Sequence, residues 1–248
     1  MDSVLEIILL VSVGLFVGVI NTLAGGGSLI SLPLLIFLGL PPAVANGTNR
    51  VAILIQNTFG VAGFKSKGID FFTFGKWAAL AALFGAMIGA QIAVDIKGEV
   101  FNRILAVVMV LVVIYMLIPK KKLMAEIPLT KKRKWWSVFL FFFIGIYGGF
   151  IQAGVGFLIL LILSNVNQFT LVKSNAVKMF VVLVYMALTV AIFAYNDKIN
   201  WKYGITMSIG NGTGAWLASR YAVKKGDQIV KVFLIVMVFA MAIKLWFF

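Results

Sequence analysis

Long, uninterrupted apolar runs separated by short polar stretches dominate the sequence. The stretch 104–118, for example, is apolar on every face of a helix and shows no alternation of apolar and polar positions. A transmembrane helix needs about 20 mostly apolar residues, whereas a barrel strand needs about 10 with strict alternation. The pattern therefore predicts helices. Ten elements are expected, at 4–22, 28–40, 45–64, 72–94, 100–118, 135–150, 154–164, 170–195, 202–222 and 229–248.

The composition places these helices in a lipid bilayer. Of the 248 residues, 62% are hydrophobic and 12% are charged, and the mean hydropathy is +1.06. A soluble chain has about 25% charged residues, so too little polar surface is left to cover a particle in water. The first run begins with Asp2 and Glu6 rather than a basic segment, which indicates a retained span rather than a signal peptide.

The two halves of the chain match each other at a nearly constant spacing. A shift of 129 positions pairs Ala24 with Ala153, Gly25 with Gly154, Gly27 with Gly156, and Asn46 with Asn175. Small gaps then align Gly85 and Gly89 with Gly210 and Gly214. Ordered matches along a membrane chain are typical of a transporter built from repeats. We expect two five-element repeats, at 1–118 and 135–248, made of eight long helices and two short ones, joined by a linker at 119–134.

Loop charge predicts how these repeats are oriented. The linker 119–134 carries seven basic residues and one acid, which places it in the cytoplasm by the positive-inside rule. The loop 95–103 is balanced in charge, whereas its counterpart 220–231 has four basic residues and one acid. Equivalent loops are therefore predicted on opposite faces, so the repeats are inverted and both termini lie outside. If the two short elements loop back instead of crossing the membrane, the number of crossings changes, and with it the predicted side of each loop.

The net charge of +14 has the same topological origin. Most of its basic residues lie between the apolar runs, where they interact with anionic lipid headgroups. This distribution favours the lipid bilayer as the partner and argues against nucleic acid.

Glycine clusters precede both short elements. Gly25, Gly26 and Gly27 lie directly before the second element, and Gly154 and Gly156 lie at the start of the seventh. A helix broken there exposes backbone N–H groups that attract anions without any charged side chain. The alternative is close helix packing through small residues, which explains Gly85, Gly89 and their counterparts better.

Polar residues that follow each break complete a candidate site. Arg50 and Lys178 lie within apolar runs, where a charge costs about 2.5–3.5 kcal/mol on insertion scales. The alternative for both is that they extend to the lipid headgroups. The predicted substrate-binding residues are Arg50, Lys178, Asn46, Asn175, Gln152, Asn21, Gly25, Gly26, Gly27, Thr48, Gly154 and Gly156.

Some chemistry is missing from the chain. It has no cysteine and no histidine, and its eight acids map to loops or helix ends. We therefore expect no catalytic residue, no metal site, no cofactor and no proton relay. A site of Arg, Lys, amides and glycine N–H groups prefers a small anion.

The glycine-rich break, Pro41 and Pro42, and the segment 45–49 resemble the sulfite exporter TauE/SafE family of membrane permeases. The second copy at 152–156 and 173–175 is similar to that family's repeat, although Val155 interrupts its glycines. The resemblance implies a multi-pass permease of the inner (plasma) membrane that moves sulfite, sulfonates or thiosulfate.

This resemblance and the residues together predict alternating access, with one repeat rocking against the other around an anion. Export would need no coupling ion, because a negative interior drives an anion outward by about 2.3 kcal/mol per charge per 100 mV. The direction of transport and coupling to an ion stay open. An anion channel and a carboxylate or other organic-anion carrier remain open. A membrane enzyme and a non-transporting assembly factor are disfavoured, and a homo-oligomer is left open.

Overall fold

The computed structural model describes residues 4–117 and 128–221. These residues form nine helices and no strand, which confirms the predicted all-α class for this part of the chain. The tenth predicted element, 229–248, lies outside the described residues. The helices are α1 Val4–Leu23, α2 Ser28–Phe37, α3 Pro42–Lys65, α4 Phe72–Val94, α5 Gly98–Leu117, α6 Lys131–Phe150, α7 Val155–Asn165, α8 Leu171–Tyr195 and α9 Trp201–Tyr221.

Local chemistry explains where two helices depart from the predicted bounds. Helix α2 ends at Phe37 because Gly39 takes a left-handed conformation (φ 91°) and the Leu40 N–H donates to the Leu35 carbonyl at 3.2 Å. Helix α6 begins at Lys131, four residues before the predicted element, because the Thr130 hydroxyl accepts from the Arg133 N–H at 3.4 Å.

Three of the described helices, α1, α4 and α8, are long and apolar enough to cross a membrane. The short lengths of α2 and α7 are confirmed at 10 and 11 residues, which is about 15 Å of helix. On α4 the large apolar side chains Leu80, Phe84, Ile88 and Ile92 recur every four residues and are about half exposed. Such an outward apolar stripe suits lipid rather than water.

Two glycine-mediated helix pairs bring the N-terminal part of the chain (α1–α5) against the C-terminal part (α6–α9). Helix α4 packs against α6 and α8, and α9 packs against α1 and α3. A Cβ atom at Gly89 would overlap the Ile146 carbonyl oxygen of α6, and one at Gly214 would overlap the Leu15 carbonyl oxygen of α1. The small-residue packing interpretation of these glycines is therefore confirmed.

Candidate functional site

Both predicted helix breaks are present. Gly25 and Gly154 take left-handed conformations, with φ of 86° and 72°, and each lies between a long helix and a short one. A side chain is disfavoured at such angles, which is why glycine stands there. The breaks also touch: a Cβ atom at Gly25 would lie 2.5 Å from the Gly156 carbonyl carbon. The backbones of the two breaks therefore meet at the boundary between the N- and C-terminal parts.

Arg50 closes the carbonyl end of the helix that precedes the second break. Its side chain is 0% exposed. Nη1 donates to the Gly148 carbonyl at 3.1 Å, and Nη2 donates to those of Gly149 at 2.6 Å and Phe150 at 3.2 Å. Asn46, one turn earlier on α3, also donates to Phe150, at 2.8 Å. The last carbonyls of a helix lack intrahelical partners and carry partial negative charge, so Arg50 neutralises this end of α6.

Lys178 does the same for the first break, from the other part of the chain. Its Nζ donates to the carbonyl oxygens of Asn21 at 2.7 Å and Thr22 at 3.1 Å, and to the Asn175 side-chain oxygen at 2.7 Å. Asn175 in turn donates to the Leu23 carbonyl at 3.1 Å. Arg50 and Lys178 thus each bind the end of a helix in the opposite part, and neither extends to the surface.

Gln152 links the second break to two neighbouring helices. Its backbone is left-handed at φ 66°, which is uncommon for a residue with a side chain. Its side-chain oxygen accepts from the Tyr185 hydroxyl at 2.8 Å, and its carbonyl accepts from the Ser28 hydroxyl at 3.1 Å. The Tyr147 hydroxyl donates to the next carbonyl, that of Ala153, at 2.5 Å.

Tyr185, Tyr147 and Ser28 are site residues that the sequence reasoning missed. Tyrosine in an apolar run gives no polar signal, because its ring suits a membrane helix. The repeat offered one signal, since the 129-residue shift pairs Tyr185 with the polar Gln56. Ser28 follows the first glycine cluster directly, but its partner on the second break depends on how the two breaks meet.

The remaining predicted residues divide into two groups. Gly26 and Gly27 are buried at the first break, and the Asn21 side chain lies against Gly27, where an added Cβ would be 2.7 Å from the Asn21 Cβ. Thr48 is not brought to the breaks. Its hydroxyl accepts from the Asn200 N–H at 2.9 Å, just before α9.

No carboxylate compensates the buried charges within the residues that the structure describes. The partners of Arg50 and Lys178 are carbonyl oxygens, and the described acids lie at helix ends or in loops, at Glu6, Asp70, Asp95, Glu99 and Asp197. Each cation offsets the negative end of one broken helix. The N-terminal ends of α2 and α7, which carry partial positive charge, begin directly after the same two breaks.

An apolar cavity in the described residues is a different feature. It has a volume of about 770 Å³ and opens between α3, α8 and α9. Its walls are apolar, with Val51, Ile55, Phe59, Trp201 and Trp216 among them, and none of the predicted site residues lines it.

A bundle of apolar helices with two breaks and buried cations at each break is the architecture of a membrane transporter. The family model for the sulfite exporter TauE/SafE matches residues 10–245. The chain belongs to that family, which confirms the resemblance seen in the sequence.

Similar curated proteins are described as probable membrane transporters. The chain is 27% identical to ORF9 of a Sinorhizobium species over 92% of its length and 87% of the relative's. It is 26% identical to a protein of Haemophilus influenzae over 96% and 93%, and 24% identical to YfcA of Escherichia coli K12 over 94% and 87%. No solved structure matches the chain.

Proposed function

We propose that this protein is a multi-pass inner-membrane permease that exports small sulfur-containing anions such as sulfite, sulfonates or thiosulfate. The observation that carries the proposal is the pair of buried cations, Arg50 and Lys178, without a carboxylate partner among the described residues. Burying a cation is costly unless a negative group compensates it. Carbonyl dipoles supply part of that compensation, and an anionic substrate supplies the rest.

The anion is held where the breaks meet, near the middle of the membrane. Arg50 and Lys178 provide the charge, and the N–H groups that begin α2 and α7 provide donors. Gln152 contributes a further donor through its amide nitrogen, while its side-chain oxygen accepts from the Tyr185 hydroxyl. Asn46, Asn175, Asn21 and Thr48 support this arrangement through the helices that carry them.

Alternating access follows from an inverted pair of five-element repeats. The reciprocal contacts support this organisation: α4 of the first repeat packs on α6, and α9 of the second packs on α1. Rocking one repeat against the other would open the bound anion first to one face of the membrane and then to the other. The membrane potential drives the export of the anion without a coupling ion. We infer a transport role without catalysis.

Counterflow in liposomes tests the proposal. Liposomes that contain the protein and are preloaded with unlabelled sulfite or thiosulfate should accumulate labelled anion transiently and saturably. The same anions should raise the melting temperature of the purified protein. Arg50→Met and Lys178→Met should lose both signals. Lys65→Met, an exposed position at the end of α3, should keep them.

Three results would reject the proposal or redirect it. Wild-type affinity in both Arg50→Met and Lys178→Met would remove the anion site. Flux that never saturates would favour an anion channel. Stabilisation by simple carboxylates alone would favour an organic-anion carrier.

A further inference from the structure

Unpaired buried polar atoms concentrate on α3 and the facing side of α9. Among the described residues, seven buried side-chain atoms have no hydrogen-bond partner, and five of them belong to Asn49, Arg50, Gln56 and Asn211. All four of these side chains are 0% exposed. Leaving a buried polar group unpaired is unfavourable, and native proteins contain few such groups. Such a concentration in one region marks a buried polar surface whose hydrogen-bonding groups exceed the protein partners that face it.

Helix geometry places these residues in one strip. Asn49 and Gln56 are seven residues apart, so they share a face of α3 about 10 Å apart along its axis. Gln56 accepts a hydrogen bond from the Asn211 amide of α9 at 3.3 Å. The opposite face of α3 is apolar and lines the cavity described above. We call Asn49, Gln56 and Asn211 the amide strip; it begins beside Arg50 and runs towards the Lys65 end of α3.

The unpaired atoms of the strip include both donors and acceptors. Asn49 offers its amide nitrogen and its oxygen, Gln56 its nitrogen and Asn211 its oxygen. Reversing the amides does not change this, because an amide pair joined by one N–H···O bond always leaves one nitrogen and one oxygen free. A fully ionised oxyanion only accepts hydrogen bonds, so it would leave the free oxygens of the strip unpaired.

We propose that the amide strip is a hydrated subsite for the N–H- or O–H-bearing end of an organic anion whose charged group binds near Arg50. The subsite rests on the proposed function and narrows its substrate class to amino- or hydroxy-substituted sulfonates. Without substrate, water provides the donors and acceptors that the strip needs. The strip then carries the polar end of the substrate along α3 during transport.

The absence of cysteine from the natural chain makes water access directly measurable. Single substitutions Asn49→Cys, Gln56→Cys and Asn211→Cys are made in protein reconstituted in liposomes, and modification by a charged methanethiosulfonate reagent is followed by mass spectrometry. Ala52→Cys is the matched control, because Ala52 is also 0% exposed on α3 but belongs to an apolar cluster. Cysteines at the strip positions should be modified at least about tenfold faster than the cysteine in Ala52→Cys, which should remain essentially unmodified.

Matched sulfonates test what the strip recognises. The amino and hydroxy compounds 2-aminoethanesulfonate and 2-hydroxyethanesulfonate should slow modification at the strip, whereas ethanesulfonate, which lacks a donor, should protect roughly tenfold less well. The same order of melting-temperature shifts in the unsubstituted protein gives a second measurement that needs no variant to fold.

Two outcomes would overturn the subsite: strip cysteines as unreactive as Ala52→Cys, or equal protection by all three sulfonates. Sulfite counterflow reports separately on the proposed function, because sulfite transport requires no contact with the strip. Saturable sulfite counterflow with an unreactive strip would reject the subsite alone. Absence of saturable counterflow with sulfite, thiosulfate and all three sulfonates would reject the proposed function.

Discussion

The glycines at the two helix breaks have the same spacing in the sequence, but different hydrogen bonds stabilise each break. At the first break, one ammonium group from Lys178 and one amide from Asn175 bind three carbonyls of α1. At the second, the planar guanidinium of Arg50 spans three carbonyls of α6, and Tyr147, Tyr185 and Ser28 add bonds to the residues that follow. Arg holds several acceptors in fixed geometry, whereas Lys acts as a point charge.

This difference assigns different mechanical properties to the two breaks. The first contains three consecutive glycines, the residues with the most backbone freedom, and few cross-links. The second is tied to α3, α8 and α2 by side chains. We expect the second break to act as a fixed reference and the first to adjust when an anion binds.

Removal of the two cations gives the largest expected contrast. Arg50→Met should lower the free energy of unfolding by about 2–5 kcal/mol, because three carbonyls of α6 lose a buried charged donor. Lys178→Met should cost less, about 1–3 kcal/mol, because it frees two carbonyls of α1. Denaturant unfolding in detergent, followed by tryptophan fluorescence, measures both. Equal losses would contradict the distinction between the breaks.

Alanine substitutions at Gly25 and Gly156, where the two breaks touch, should distinguish the cost of backbone strain from the cost of steric overlap. Gly25→Ala introduces a Cβ at φ 86° and against Gly156, so it should cost about 2–4 kcal/mol. Gly156→Ala causes overlap without the left-handed angle and should cost about 1–3 kcal/mol.

Thermal unfolding of both variants, with Gly98→Ala as the control, checks this order. A Cβ at Gly98 comes no closer than 3.4 Å to a neighbour, so that variant should behave like the natural protein. A larger loss for Gly156→Ala than for Gly25→Ala would mean that strain at the first break is unimportant.

The smallest effect is expected from the cross-link peculiar to the second break. Tyr185→Phe keeps the ring and removes the hydroxyl that donates to Gln152, so stability should fall by about 1 kcal/mol. Gln152 also loses its orientation, so the half-saturating anion concentration in counterflow should rise while the maximal rate changes less. Tyr195→Phe, at an 89% exposed position, should change neither. An unchanged half-saturating concentration in Tyr185→Phe would remove Gln152 from the anion site.

Features set by local chemistry were predictable from the sequence. Consecutive glycines disfavour a helix whatever surrounds them, so the break at Gly25 and the short α2 followed from sequence alone. The spacing of Gly85 and Gly89 likewise indicated close packing, although their partner helix α6 was not identified. The sequence predicted that α6 begins at residue 135, because the charged residues 131–134 are typical of a loop. In the structure Thr130 caps the helix, so α6 includes these residues.

Features that depend on how distant segments meet were not predictable. Arg50 and Lys178 were recognised as cations within apolar runs, but nothing in their neighbourhood indicated that they are buried or that their acceptors are carbonyls more than 90 residues away. Tyr185 was overlooked for the same reason, since its role arises only where α8 passes Gln152. The substrate-binding role of these residues stays a prediction.

Reciprocal capping also has a consequence for biogenesis. In lipid, carbonyl groups at a helix end find no water to bond, so an uncapped end is unstable. The Lys178 that caps Asn21 is 157 residues further along the chain. The first break therefore lacks its cap until ribosomal synthesis has passed α8, and the early helices stay dependent on the translocon or on lipid headgroups until the later ones insert.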